Sequence, residues 1–338
     1  MAAGVHGESR VVRKLVLAMV LLAGLAAGGG YLWLDRPLAI DNSPAELSVE
    51  PGTGAAQVAQ GVRRAGVQVW PELLYLWFRV SGESRSIKAG SYESEAGTTP
   101  RTLLRKLVNG EQALRSVTLV EGWTFRQLRL ALSTAPNLLA QSAGLSDAHL
   151  MEQLGRPGVH PEGRFFPDTY SYPKNSTDLQ LLARAMRAMD RQLLAAWERR
   201  AADSPLKTPE QALILGSIVE KETGRPADRP MIAGVFSNRL RLGMLLQTDP
   251  SVIYGMGAAF DGNLRKKDLT TDTPWNTYTR AGLPPTPIAM PGKDALLAAV
   301  APATTDALYF VARGDGSSQF SNSLTAHNRA VNQYQRKP

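Results

Sequence analysis

The chain has 338 residues, 38 Lys and Arg against 30 Asp and Glu, four His and no Cys. That length holds one or two globular domains, and 43% hydrophobic residues are enough for real cores. The lack of Cys excludes disulfides, thiolate zinc sites and a cysteine nucleophile. His6, His149, His160 and His327 are too scattered for a zinc-protease helix. A formal charge of +8 points to an anionic partner such as nucleic acid, a lipid surface or an acidic wall polymer.

Residues 15–34 (LVLAMVLLAGLAAGGGYLWL) carry no charge. Twenty helical residues span about 30 Å, the hydrocarbon thickness of a bilayer. Arg10, Arg13 and Lys14 precede the run, and Tyr31 and Trp33 lie near its far end. The basic side stays cytoplasmic and the aromatics lie at the opposite interface. A cleaved signal peptide is the alternative, since Leu25-Ala26-Ala27 offers small residues, but signal cores usually hold only ~7–15 apolar residues. The expectation is a cytoplasmic tail over 1–14, an anchor over 15–34, and the rest outside the cytoplasm. Removing Arg10, Arg13, Lys14 and Glu8 leaves 35 basic and 29 acidic residues there. They form no basic run, so no nucleic-acid partner is expected.

Residues 35–44 read as a polar linker with two prolines. A strand at 46–49 and a Pro51-Gly52-Thr53 turn lead to an amphipathic helix at 55–65, with Val58 and Val62 on one face. An aromatic helix follows at 71–80, a strand at 86–92, and a helix at 100–108 stopped by Asn109-Gly110. Residues 45–116 thus form a small α+β module. A strand at 117–120 opens a larger domain, 117–338, followed by Glu121-Gly122-Trp123-Thr124 and a helix from Phe125. Residues 178–200 are an amphipathic helix capped by Thr177 or Asp178. Leu179, Leu182, Met186, Met189, Leu193 and Trp197 recur at helical spacing. It reads as a core helix, with a dimeric coiled coil as the alternative.

Thr208-Pro209-Glu210-Gln211 starts a helix with a capping box and proline at the first position; that helix runs to Gly224. A second helix over 226–242 stops at Gly243. Gln247-Thr248-Asp249-Pro250 reads as a turn before a short segment ending Gly255-Met256-Gly257. Beyond it the chain looks loop-rich, with a long polar-aromatic stretch through Trp275, Asn276, Thr277, Tyr278 and Pro284-Pro285. A hairpin around Gly314-Asp315-Gly316 and a helix containing His327 end the chain.

Glu220 and Glu222 close the helix that starts at Thr208. A helix C-terminus and apolar surroundings both disfavour an ionised carboxylate, and a carboxyl held protonated near neutral pH can act as a general acid. The two lie roughly 200° apart on the helix and cannot share one cleft. Leu213, Gly216 and Ser217 share the Glu220 stripe, and their small side chains leave room for a substrate. Glu222 continues the Leu215 and Ile218 stripe and turns inward, with Arg225 or Arg229 as its partner. Glu220 is therefore the favoured acid, against the plainer reading of two solvated glutamates. Gln247, Thr248, Asp249, Tyr254, Asn276, Thr277 and Tyr278 have the chemistry that grips sugars. The acidic-aromatic run from Glu162 to Tyr170 reads as ordered loop packing, and His327 as a surface or capping histidine.

These residues resemble the endolytic murein transglycosylases, the MltG or YceG-like family. The resemblance runs through Ser217-Ile218-Val219-Glu220-Lys221-Glu222-Thr223, Val235-Phe236-Ser237-Asn238-Arg239-Leu240 and Leu246-Gln247-Thr248-Asp249-Pro250 to Gly255. It continues in Trp275-Asn276-Thr277-Tyr278, Gly282-Leu283-Pro284-Pro285 and His327-Asn328. Upstream, Glu121-Gly122-Trp123-Thr124 and Glu162-Gly163 through Tyr170 fit as well. It implies an inner-membrane protein with a LysM-like module and a periplasmic catalytic domain. It implies cleavage of peptidoglycan glycan strands between N-acetylmuramic acid and N-acetylglucosamine, leaving 1,6-anhydro ends. It also implies partnership with peptidoglycan synthases, and gives Glu220 the catalytic role. Ser217 and the loop residues above become candidate substrate contacts. The substrate's own C6 hydroxyl is the nucleophile, so no metal or other cofactor is required. A hydrolytic muramidase with Asp249 as second carboxylate, and a non-catalytic wall-binding scaffold, are the alternatives.

Overall fold

The computed structural model describes residues 5–335; the first four residues of the expected tail and the last three of the chain lie outside them. It divides into two compact units, one ending at Leu114 and the other beginning at Arg115.

The first unit opens with α1 (Val5–Leu34). Among the described residues Val12–Leu34 is the one stretch long and apolar enough to cross a membrane, with a mean hydropathy of 2.1, and it is exposed along most of its length, with Leu34 buried at its end. Then come β1 (Ala39–Ile40), β2 (Ala45–Val49), α2 (Ala55–Arg64), β3 (Val67–Gln68), α3 (Pro71–Val80), β4 (Gly90–Ser94) and α4 (Pro100–Asn109). β2 and β4 pair antiparallel, with Leu47 opposite Tyr92. Burial alternates along β2, so Ala45, Leu47 and Val49 meet Val58, Val62, Leu74, Phe78 and Leu104 in one core. α4 stops where Gly110 takes φ +73°, a left-handed cap. The segment 35–44 is no free linker. Ala39 and Ile40 pair with Gln68 and Val67, and Leu38 is buried with its N–H on the Thr98 carbonyl at 2.8 Å. The expected strand at 86–92 sits at Gly90–Ser94, because its first half is spent turning out of α3.

The second unit contains β5 (Leu114–Thr118), α5 (Phe125–Ser133), α6 (Asp147–Gln153), β6 (Thr169–Pro173) and α7 (Asp178–Trp197). They are followed by α8 (Pro209–Glu222), α9 (Arg229–Arg241), α10 (Asp249–Met256), α11 (Lys266–Thr270), α12 (Lys293–Val300), β7 (Tyr309–Ala312), β8 (Ser318–Ser321) and α13 (Leu324–Tyr334). Helix far exceeds strand, and the fold is α+β. β5 pairs with β6, and β7 with β8 as an antiparallel hairpin. One core lies under α5, α6 and the first half of α7, around Leu128, Leu150, Phe165, Tyr172 and Leu182. The other gathers α8, α9, α12 and the end of α7, around Leu213, Leu215, Ile218, Ile232, Phe236 and Leu296. α7 is thus a core helix.

Three expectations are corrected. β5 falls three residues earlier than the strand expected at 117–120. Asp249-Pro250 does not turn; Thr248 caps α10, and proline takes an early helical position where its missing N–H costs nothing. The region past Gly257 holds α12, a helix of eight residues buried along most of its length after Lys293 and Asp294. Its sequence KDALLAAV is apolar on almost every side, so it shows no period to read.

Candidate active site

α8 begins at Thr208, whose hydroxyl accepts the Gln211 N–H, with Pro209 at its first position. Its residues 212–219 are all buried. α12 lies along one side, at Gly216, where an added Cβ would stand 3.2 Å from Leu296 Cδ2. Ser217 Oγ donates to the Ile214 carbonyl (2.7 Å) and accepts the Ile288 N–H (3.0 Å). The small residues of this stripe therefore seat α12 and the segment before it, rather than a substrate.

That segment is stitched to the loop before α5. Gly122 N–H meets the Met290 carbonyl at 2.9 Å, and Met290 N–H meets that of Trp123 at 2.8 Å. The stitch places Gly292 N–H 2.9 Å from Glu220 Oε2. Gly122 takes φ +75°, the left-handed conformation that favours glycine, beside Glu220 Cγ. Arg229, at the start of α9, donates to Glu220 Oε1 at 2.9 Å. The Glu220 side chain is 6% exposed and that of Arg229 9%. Glu121 and Asp294 stand 3.7 and 3.8 Å from the same guanidinium. Burial raises the Glu220 pKa, the Gly292 N–H and Arg229 pull it back, and Glu121 and Asp294 push it up again.

Glu222 leaves the helix on the other side. Its Oε1 accepts the Thr248 hydroxyl in a short hydrogen bond, and burial pushes its pKa up to about 7. Neither Arg225 nor Arg229 is its partner: Arg229 closes on Glu220, and Arg225 approaches Asp228.

Two cavities flank the end of α8. The larger, about 1010 Å³, is lined by Phe125, Glu162, Lys221, Tyr254 and Trp275 among others. Lys221 brings its edge to the residue next to Glu220, and its Nζ donates to the Gly122 carbonyl at 3.2 Å. Glu162 accepts the Phe125 N–H at 2.9 Å and bonds the Tyr254 hydroxyl; burial pushes its pKa up to about 7. Tyr254 meets Trp275 edge-on, centroids 5.5 Å apart. The smaller cavity, about 340 Å³, is lined by Glu222, Arg239, Gln247, Asp249, Tyr278 and His327. Tyr278 Oη donates to Asp249 Oδ1 at 2.5 Å, and His327 stacks on Tyr309 at 5.2 Å.

The structure therefore sorts the sequence-derived set. Tyr254 faces the larger cavity; Gln247, Asp249 and Tyr278 face the smaller one. Ser217, Thr248, Asn276 and Thr277 are buried and face inward. Thr277 Oγ1 accepts the Thr248 N–H (3.0 Å) and lies 2.8 Å from Ser251 Oγ. Asn276 Nδ2 donates to the Thr271 carbonyl at 2.7 Å. Thr248, Asn276 and Thr277 thus brace the loop and α10, and Ser217 braces the segment before α12. Glu162, expected in loop packing, lines the larger cavity, and Arg229, expected as a partner of Glu222, bonds Glu220. An acid inside a dense aromatic run was the signal for Glu162; the partner of Arg229 depends on how two helices meet. His327, expected as a surface or capping histidine, is half-buried and lines the smaller cavity.

A desolvated carboxyl, fixed between a guanidinium and a backbone N–H beside an aromatic cleft, can give and take a proton on a polar ligand. The model of the YceG-like family matches residues 47–333, and the chain belongs to that family. It is 30% identical over 331 residues to the Bacillus subtilis endolytic murein transglycosylase, covering 92% of this chain and 91% of that one. The Streptococcus pneumoniae protein of the same name is 29% identical over 362 residues, covering 96% of this chain and 65% of its own length. The crystal structure of a yceG-like protein from Listeria monocytogenes superposes with a TM-score of 0.53. It is 26% identical, over 84% of this chain and 97% of that one.

Proposed function

We propose that the chain is an endolytic murein transglycosylase, a lyase cutting peptidoglycan glycan strands internally, with Glu220 as its acid and then its base. The observation that carries the reading is the setting of Glu220: a buried carboxyl bonded by Arg229 and Gly292. Protonated, Glu220 gives its proton to the glycosidic oxygen as the bond between N-acetylmuramic acid and N-acetylglucosamine breaks. The carboxylate then takes the proton of the substrate's C6 hydroxyl as that oxygen closes on C1, leaving a 1,6-anhydro ring. One carboxyl serves both steps, whereas an ordinary glycosidase uses two. Burial favours the acid form, and Arg229 and the Gly292 N–H favour the base form, which suits a group that must be each in turn. The 1010 Å³ cleft takes the strand, with Tyr254 and Trp275 offering ring surface to sugar faces.

The apolar helix over residues 15–34 anchors the chain in the inner membrane, with a cytoplasmic N-terminus and a periplasmic catalytic domain; its exposed apolar surface, preceded in sequence by Arg10, Arg13 and Lys14, supports this. Residues 45–116 serve as a LysM-like wall-binding module, a reading supported by two helices enclosed between the paired β2 and β4. The test is mass spectrometry of peptidoglycan digested by the purified chain. Anhydromuramic ends are expected from the wild type and none from Glu220→Gln. Reducing muramic ends would replace the lyase by a hydrolase. Undiminished cleavage by Glu220→Gln would remove Glu220 from the chemistry.

A further inference from the structure

α3 carries an apolar stripe that its own unit leaves uncovered. At about 100° per residue its side chains fall into three sectors. Leu74 and Phe78 are fully buried in the module core, and Glu72 and Arg79 mark a charged sector. Leu73, Leu76 and Val80, with Trp70 just before the helix, form the third. They are 42%, 56%, 73% and 78% exposed. Trp77 lies at the edge of this sector, one heptad after Trp70, and is half-buried. Single exposed apolar residues are ordinary on a protein surface, but a contiguous face of four large ones marks a contact.

What covers the face follows from where α1 joins the same unit. Leu34 is buried and Trp33 packs on the module core, so no slack separates the apolar helix from the module. Asp35 pairs with Arg101 of α4 at 2.8 Å. The Arg101 guanidinium lies 5.4 Å from the Tyr31 ring and 6.0 Å from the Trp77 ring. One arginine side chain thus bridges the outer end of α1 to the border of the exposed stripe. Tyr and Trp rings concentrate at the membrane–water interface, and Arg reaches from apolar surroundings toward headgroups. Arg36 and Arg79 are exposed in the same unit, and cations near a membrane surface attract anionic lipid.

We propose that the N-terminal module docks onto the lipid surface through this face of α3, with Trp70, Leu73, Leu76 and Val80 set into the headgroup–acyl boundary. The proposal rests on reading α1 as a membrane anchor and adds a second membrane contact to it. The anchor then pins the module to the bilayer instead of trailing it on a tether. An interfacial helix of this kind lies in the membrane plane with its apolar face down.

The chain has no Cys, so single introduced cysteines report one position each. The full chain is reconstituted in phosphatidylethanolamine–phosphatidylglycerol vesicles with a nitroxide at Leu73→Cys, Val80→Cys, Glu72→Cys or Leu21→Cys. Paramagnetic relaxation by oxygen is compared with relaxation by a water-soluble nickel chelate. Expected are a deep label at 21, shallow chelate-protected labels at 73 and 80, and an aqueous label at 72. If 21 is deep while 73 and 80 are as chelate-accessible as 72, the docking proposal fails and the anchor stands. If 21 is itself aqueous, the anchor reading fails and the proposal falls with it. If 73 and 80 become protected only when glycan strands are added, the face binds glycan and the lipid proposal is overturned.

Discussion

Gly216 is where the seat of α12 on α8 can be tested most directly. A Cβ added there stands 3.2 Å from Leu296 Cδ2, 3.5 Å from Leu296 Cα and 3.6 Å from the Ala295 carbonyl. Overpacking a tight core costs about 1–3 kcal/mol, and replacing a mid-helix Gly by Ala returns about 1 kcal/mol. Gly216→Ala is therefore expected to destabilise by roughly 0–2 kcal/mol. Leu296 is fully buried, and Leu296→Ala alone should cost about 2–5 kcal/mol. In that background the crowding is gone and the methyl added at position 216 fills part of the void, so Gly216→Ala should become stabilising. The sign reversal, a coupling of about 1–3 kcal/mol, is read from urea midpoints of the four proteins in detergent. The stake is functional, because Gly292 caps α12 and donates its N–H to Glu220. Displacing α12 should lower glycan cleavage even where the chain stays folded. Equal effects of Gly216→Ala in both backgrounds would show that Leu296 is not what Gly216 accommodates.

Three further outcomes follow from the carboxyls. The folded-state pKa of Glu222 is raised from 4.5 to about 7, so its contribution to stability is fully present below about 4.5 and is lost as pH rises through about 7. That loss is about 3 kcal/mol, and Glu222→Gln, which keeps an acceptor for Thr248, should flatten the fall in melting temperature between pH 5 and pH 8. Arg229→Gln removes a charge that lowers the Glu220 pKa, so the basic limb of the cleavage rate should move to higher pH; an unmoved limb would mean that another group titrates. Tyr254→Phe deletes one hydroxyl bonded to Glu162 in the larger cleft. The ring stays, so the loss should fall on stability, about 0.5–1.5 kcal/mol by urea midpoint, with KM for glycan strands nearly unchanged; a rise of about tenfold in KM would mean that the hydroxyl itself holds the sugar.

What could be read from the residues was whatever local rules decide. Pro71 and Pro100 announced helix starts, Gly110 and Gly243 announced stops, and the period of α7 announced a core face. Helix geometry alone sent Glu220 and Glu222 to different neighbours. It could not say which neighbours, because those are set by contacts far apart in sequence. Arg229 lies only nine residues from Glu220, yet its choice of that carboxyl depends on the chain turning at Pro226–Asp228 before α9. Gly292 reaches Glu220 only because residue 290 is stitched to residues 122 and 123. Asn276 and Thr277 read as sugar ligands since amides and hydroxyls serve equally well for binding and for bracing a loop. Burial decides between the two, and burial is a property of the whole fold.

The same contrast explains why α12 was invisible and yet matters. A short helix whose only charges are the two residues of its first turn has no polar face to betray it. It also has no freedom to move without disturbing what it touches, since Leu296 fills the space left at Gly216. A backbone N–H at the cap of such a helix is a fixed donor: it cannot rotate away as a side chain can, and no rotamer change withdraws it. Glu220 thus has one partner that is rigid and one, Arg229, that is a long side chain. A carboxyl that must first release a proton and then recover it needs its geometry held through both states, while the charge beside it responds. In the proposed reaction Gly292 meets the first requirement and Arg229 the second, and a segment that looks like featureless loop in sequence thereby holds the proposed acid.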